Sequence, residues 1–475
     1  LILQNFSQRT GGCVTKISFQ TPLPVTAEEA FAWHMRPLAF ERLTPPWEEM
    51  KVLESHGTIA AGVRTKILIE LGPIVIPWSV LYSDFKEGKS FTDTMESGPF
   101  SSWKHTHSFH PAGPNSCYLA DEIEYELPLG LFGRTLAKDF VKNRIARMFR
   151  YRQDVLRHDL ALTNRWGNEK PLRILLSGAN GMLGSALVPF LSAAGHHVTR
   201  LVRRADSGSV PTLTWQPEKG EIPTEQLEGF DVFVNLAGEN IADSSWTPER
   251  KLRLRESRLR STALLVDSIR SLKHPPQVFL NASAVGIYGS QSDLMLTEAS
   301  APGVGFLADL VKDWESVAME AQSICRVATL RFGAILSPKG GALKKSLLPF
   351  KLGLGGTMGP GSQFIPWISI DDCLGAIYQC LNDKNITGGV NLVSPEPVTS
   401  KDFSQTLAKV LHRPSVMPVP AQVLKMAMGE LADEVLLSSC RAIPEKLLAN
   451  EYAFRHPHLE SALRHVLGRA VNDEA

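Results

Sequence analysis

Short segments in which apolar and polar residues alternate fill the first third of the chain: TKISFQTPLPV, VRTKILIEL, SFTDTME, WKHTHSFH and CYLADEIEYELPL. A period of two between turn formers marks strands with one buried face, paired antiparallel. From about Gly133 to Ala161 the period lengthens, with Leu136, Phe140, Ile145, Phe149, Val155 and Leu156 recurring at roughly helical intervals. The pattern predicts an antiparallel sheet closed by one long helix, an α+β domain. Near residue 165 the segment TNRWGNEKPLR breaks that helix. We place the boundary there, with a first domain of 1–165 and a second of 166–475.

Beyond the boundary the pattern changes. RILLS, VTRLV, DVFVNLA, QVFLNAS and VATLRF are continuously apolar, and each is followed by a loop and a helical pattern. Strands buried on both faces and joined by helices require parallel, right-handed crossovers. The second domain is therefore read as doubly wound α/β over about 172–395, with a helical, Pro-punctuated part at about 396–475. One helix is well marked: Thr247 caps it, Pro248 suits its first position, and Leu252, Leu259, Val266 and Ile269 supply a buried stripe.

Length and charge narrow the class of partner. The 475 residues are 43% hydrophobic and 21% charged, with 50 Lys plus Arg against 49 Asp plus Glu. No global positive field exists to draw in nucleic acid or an anionic membrane, and a small-molecule substrate is expected. The most apolar stretch, ILIELGPIVIPWSVLY, contains Glu70, Gly72 and two prolines, and LILQNFSQRTGGCV lacks the apolar core of a signal peptide. Six cysteines without a C-x-x-C pair suggest neither a disulfide framework nor a zinc site. A cytoplasmic location is expected.

The strand RILLS runs into Gly178-Ala179-Asn180-Gly181-Met182-Leu183-Gly184 and then a helix. Glycines so spaced permit a tight turn, close approach to a diphosphate and close helix packing, while the helix start supplies N–H groups and positive dipole. The next strand ends in Arg203-Arg204, where an acid would bind the ribose hydroxyls of NAD. Arginine there grips a 2′-phosphate, so NADP is expected. Asn235-Leu236-Ala237-Gly238 brings small residues to a strand end beside the cofactor, and Ser283, followed by Tyr288, stands where another strand reaches the ligand crevice. His105, His107 and His110 share a strand, but no Asp, Glu or Cys accompanies them at close spacing, and no metal site is expected.

The glycine turn, the Asn235–Gly238 segment and the Ser283 strand together resemble an extended short-chain dehydrogenase/reductase (SDR), an NAD(P)-binding Rossmann fold. VNLAGENIADSSWTPERKLRLRESRLRST, ASAVGIYG, TLRFGAILSPKGGAL and PFKLGLGGTMGPGSQFIPWISIDD resemble one atypical branch, the epimerase-family oxidoreductases. FERLTPPWE, SGPFSSWKHTHSF, DEIEYELPLG and MFRYRQDVLRHDL resemble an SRPBCC domain, the START/Bet v 1-like helix-grip superfamily. The second resemblance implies a cavity for an apolar ligand. The first implies that Arg258 lies beside the cofactor, that Gly353–Gly361 and Asp371-Asp372 belong to a substrate-side loop, and that the chain pairs as a homodimer.

One departure bears on catalysis. An SDR needs a Tyr and a Lys one helical turn apart, and here Phe306 and Leu310 stand in their places. Tyr82 and Lys86 have the spacing but lie among β-type residues, so their pairing is coincidental. The resemblance thus implies an NADP(H)-dependent oxidoreductase acting on a carbonyl or alcohol through Ser283 and Tyr288. Its rival is a non-catalytic NADP(H)-sensing binding protein, and a sugar-nucleotide epimerase ranks last.

Overall fold

A computed structural model describes residues 14–469 apart from 56–58, 72–73, 129–130, 168–169 and 207. The start of the chain, Cys13 included, lies outside the described residues, as does the side chain of Leu136. Contacts divide the chain into two compact units, residues up to 170 with 189–195, and residues 171–188 with 196–475. Among the described residues no helix is long and apolar enough to cross a membrane.

In the first unit the alternating segments form strands β1 (Thr15–Leu23), β2 (Glu49–Ser55), β3 (Arg64–Leu71), β4 (Ile74–Lys86), β5 (Ser90–Ser97), β6 (Ser102–Gly113) and β7 (Ser116–Glu126). They pair antiparallel in the order β1-β7-β6-β5-β4-β3-β2. Strands β2 and β4 are absent from the sequence reading, and in β4 Pro77 interrupts the strand signal. Helices α1 (Ala27–Met35) and α2 (Ala39–Arg42) follow β1. Thr26 and Glu29 form a capping box that starts α1.

The long helix α3 (Leu131–Trp166) packs on the sheet. Ile145 and Phe149 join Ile17, Phe19, Ile123 and Tyr125 in one buried cluster, with the Phe19 and Phe149 rings stacked at 4.8 Å. Phe140, placed in the buried stripe by sequence, is 68% exposed. Five positions before Ile145 it points roughly 140° away around the helix, and Val141 packs in its stead.

The second unit is built on β8 (Arg173–Ser177), the part of α4 (Met182–Ala193) up to Val188, β9 (His197–Val202), β10 (Thr212–Thr214), β11 (Val232–Asn235), α5 (Pro248–Ser271), β12 (Val278–Ala284), α6 (Phe306–Met319), β14 (Arg326–Phe332), α7 (Gly341–Lys351), α8 (Ile370–Asn382) and β18 (Gly388–Leu392). The main sheet is parallel throughout, ordered β10-β9-β8-β11-β12-β14-β18. This is the doubly wound Rossmann arrangement, whose strand order reverses on either side of β8. Small ladders complete it: β13 (Met295–Leu296) with β20 (Arg441–Ala442), β15 (Ala334–Leu336) with β17 (Trp367–Ser369), and β16 (Phe364–Ile365) with β19 (Val398–Thr399).

Thr247 caps α5 by accepting from the Arg250 amide at 3.2 Å, with Pro248 next. Leu254, Leu265, Val266 and Ile269 form its buried side, whereas Leu252 is 55% exposed, two positions and about 200° out of phase with Leu254.

Candidate active site

The turn from β8 into α4 decides what approaches it. Gly178 has φ 71°, and a Cβ there would lie 2.5 Å from the Leu236 carbonyl. At Gly184 a Cβ would lie 2.3 Å from the Gly178 oxygen, so neither position admits a side chain. Close approach thus seats α4 on the turn and the turn on the segment after β11. Gly181 is different: it and Asn180 are exposed, and its Cβ would stand 3.3 Å from the nearest atom. The tip of the turn is left uncovered where the first amides of α4 lack intrahelical partners. Met182 is half-buried and Leu183 buried, the latter anchoring the helix.

Buried Asn235 ties the neighbouring strand ends together. Its side chain accepts from Ser177 Oγ at 2.5 Å and from the Ala237 amide at 3.2 Å, and donates to Asn281 at 2.7 Å. Leu236, Ala237 and Gly238 are thereby held beside the glycine turn. Arg258 fixes the far side of that segment, donating to the Glu239 and Leu254 carbonyls at 2.9 Å each, with its guanidinium 5.3 Å from the Trp314 ring centre. Burial pulls its pKa down to about 10. Arg203 and Arg204 follow β9 directly and are exposed, Arg203 standing 4.0 Å from Glu218 with both side chains mostly in solvent.

Ser283 and Tyr288 enter one polar chain. In the sheet register Ser283 faces Arg331, and Arg331 faces Asn391. Ser283 Oγ donates to Glu315 Oε1 at 2.5 Å, and Arg331 grips both oxygens of Glu315 at 2.8 Å. Arg331 Nη1 also donates to Tyr288 Oη at 2.8 Å, and Tyr288 donates its proton to Asn391 at 2.7 Å. Burial pushes the Tyr288 phenol up to about 12, against the pull of Arg331. Tyr288 has no exposed surface and directs its proton at Asn391. Ser283, 3% exposed, keeps its place at the strand end.

Phe306 opens α6 and Leu310 is buried on it, so the helix brings Glu315 to this chain and no Lys. Sequence reasoning missed Glu315, Arg331 and Asn391. A charge closing the apolar strand VATLRF was the available signal for Arg331. Asp371 and Asp372 are wholly buried at the start of α8, where Asp372 accepts from Ser369 Oγ at 2.7 Å and from the Arg455 and His456 amides at 2.6 and 3.1 Å. The Gly353–Gly361 run is pinned as well, Gly359 to Val419 and Val419 to Thr357 by backbone bonds of 2.9 Å.

The sequence matches the model of the NAD dependent epimerase/dehydratase family over residues 174–392 and a domain of unknown function over residues 419–466. It is 39% identical over 297 residues to Epimerase family protein Mb2239 of Mycobacterium bovis, covering 62% of this chain and 98% of that one. The chain belongs to the NAD dependent epimerase/dehydratase family. Its fold is similar to the crystal structure of the nucleoside-diphosphate sugar epimerase from Corynebacterium glutamicum, at TM-score 0.76 and 29% identity over 95% of this chain and 90% of that one. It is also similar to human epimerase family protein SDR39U1 with NADPH, at TM-score 0.59 and 33% identity over 63% of this chain and 100% of that one.

The residues of this epimerase-family chain fit a dinucleotide on their own chemistry. An uncovered glycine turn at a helix start suits a diphosphate, and a buried asparagine presents the adjacent backbone to the same place.

Proposed function

We propose that the second unit is an atypical extended SDR that binds NADP(H) and acts as an oxidoreductase on a carbonyl or alcohol. The observation that carries this reading is the uncovered turn at Asn180-Gly181 together with the two exposed arginines that follow β9. Gly178–Gly184 would hold the diphosphate, Arg203 and Arg204 the 2′-phosphate, and Leu236–Gly238, steadied by Arg258, the adenosine side. That a human relative was solved with NADPH supports the choice of NADP over NAD. Bound NADP(H) would supply the hydride chemistry. Ser283 would hydrogen-bond the substrate oxygen, and Glu315, gripped by Arg331, would orient the Ser283 hydroxyl and accept its proton as an alcohol is oxidised.

The second reading, an NADP(H)-responsive binding protein, is favoured by one observation: Phe306 and Leu310 replace the acid–base pair while Tyr288 is sequestered. Sugar-nucleotide epimerisation by transient oxidation would need that pair all the more, and ranks behind both. For the first unit, the likeness of its sequence to SRPBCC proteins supports a ligand-binding role. One cavity of about 30 Å³ in this unit is lined by His34, Arg36, Glu41, Thr65 and Tyr82 as well as by apolar residues.

The experiment is a titration with NADPH and NADH followed by turnover over a panel of carbonyl compounds. NADPH binding with turnover that falls on the order of 100-fold or more in Ser283→Ala and Glu315→Gln supports the oxidoreductase. Binding without turnover moves the assignment to the sensing role. Absence of NADPH binding overturns both.

A further inference from the structure

The alternation of β6 puts His105 and His107 on one face of the sheet, and the register of its neighbours supplies what the local sequence lacks. Asp93 of β5 pairs with His105, and Asp121 of β7 pairs with His107, so two carboxylates from distant positions join the two imidazoles in the interior of the first unit. His110, further along β6, is exposed and stacks on Tyr118 at 4.8 Å, outside the cluster.

We propose that Asp93 Oδ2, His105 Nδ1 and His107 Nε2 form a binding site for a divalent transition-metal ion of the zinc and iron class. Asp93 Oδ2 stands 3.0 Å from His105 Nδ1 and 3.7 Å from His107 Nε2, and the three ligand atoms lie within 4.8 Å of one another. Metal bonds of about 2.0–2.2 Å at tetrahedral angles place neighbouring donor atoms roughly 3.3 Å apart, so the set needs only small side-chain shifts to close on an ion.

A second, independent feature is how the three groups are held. Asp121 Oδ1 lies 3.1 Å from His105 Nε2 and 2.8 Å from His107 Nδ1, the nitrogen of each ring that faces away from Asp93. A carboxylate on the far nitrogen is the device that selects the tautomer and orientation of a metal-binding histidine, and here Asp121 hydrogen-bonds His105 Nε2 while standing close to His107 Nδ1 without a hydrogen bond to it. Trp103 Nε1 donates to Asp93 Oδ1 at 3.0 Å, leaving Oδ2 for the ion. Phe91 stacks on His107 at 4.3 Å, and Phe149 meets the His105 ring edge-on at 5.3 Å.

Two imidazoles and one carboxylate suit Zn²⁺, Fe²⁺ or Mn²⁺, and three protein ligands leave a position open for water or a ligand oxygen. His34 lies 5.9 Å from His107, ring centre to ring centre, and lines the small cavity of this unit.

The test uses the full chain, stripped with a chelator and titrated with Zn²⁺ and Co²⁺, with bound metal counted by mass spectrometry. One equivalent is expected, with a Co²⁺ visible spectrum typical of low-coordinate nitrogen and oxygen ligation. Affinity should fall by two orders of magnitude or more in Asp93→Asn and His107→Asn, and about 10- to 100-fold with stoichiometry kept in Asp121→Asn. Circular dichroism confirms that each variant is folded, and His105→Asn substitutes for any that is not. Failure of the folded wild-type protein to bind either ion at micromolar concentration overturns the proposal. Binding that is undiminished in the folded variants does the same.

Discussion

Each unit buries a network of charged and polar side chains against a sheet, but the first gathers Asp93, His105, His107 and Asp121 on the face of antiparallel strands, while the second gathers Ser283, Arg331 and Asn391 at the ends of parallel ones. On an antiparallel face every second residue points inward, so polar groups from three strands meet wherever the register sets them opposite each other. A parallel strand covered on both sides is apolar along its length, and its polar residues collect where the chain leaves the sheet. The first arrangement makes an interior site and the second makes an edge site at the ligand crevice. Glu315 shows the added cost of the edge: three strands are not enough, and a helix must supply the partner for Arg331.

The largest effect should come from Arg331→Met. Both side chains of the Arg331–Glu315 pair are nearly buried, at 10% and 12% exposure, and removing the cation strands the carboxylate, so a loss of about 3–5 kcal/mol is expected in denaturant unfolding. Recovery of part of that loss in Arg331→Met with Glu315→Gln would mark the pair as the unit. A single variant as stable as wild type would break the comparison of the two networks.

Next in size is a contrast within the glycine turn. Gly178→Ala should lose stability by about 1–3 kcal/mol from its backbone strain alone, with the contact on Leu236 adding to it. Gly181→Ala should melt like wild type and bind NADPH less well. Equal melting of the two variants would show that close approach does not shape the turn.

A smaller change is expected from replacing Arg203 and Arg204 together by Ala. NADPH affinity should fall about 10- to 100-fold with NADH affinity nearly unchanged, as for lost charge-assisted bonds to a phosphate, and the melting temperature should hold because both side chains are exposed. Equal losses for both cofactors would remove the 2′-phosphate assignment. Smallest is Tyr288→Phe, which should cost about 1–2 kcal/mol of stability for its lost bonds to Asn391 and Arg331. Its pH–rate profile should match that of the wild type, and a fall in kcat on the order of 100-fold would restore Tyr288 as an acid.

Much of the second unit could be read from the chain because its strands are continuous apolar runs, and five of the seven in its main sheet were recognised. Strand β10 has only three residues and β18 opens on two glycines, so neither carries a strong local signal. The phases of α3 and α5 were read slightly wrong at Phe140 and Leu252, since one apolar residue can sit two or five positions off a stripe without breaking the pattern. The glycine turn was legible because its physics is local: a strand, a left-handed residue and a helix start lie within seven positions. The partners of Tyr288 were not legible because nothing nearby in sequence announces Asn391 or Arg331.

By itself the amino-acid order determined the two kinds of domain pattern, the place of the glycine turn, the arginines after β9 and the absence from α6 of a Tyr and a Lys one turn apart. These follow from periodicity, backbone stereochemistry and the identity of residues at short spacing. Only the tertiary structure decided that Asp93 and Asp121 would meet His105 and His107, and that Ser283 would reach Arg331 through Glu315. Such meetings depend on strand register and on which helix packs over which strand end, and no local pattern encodes either.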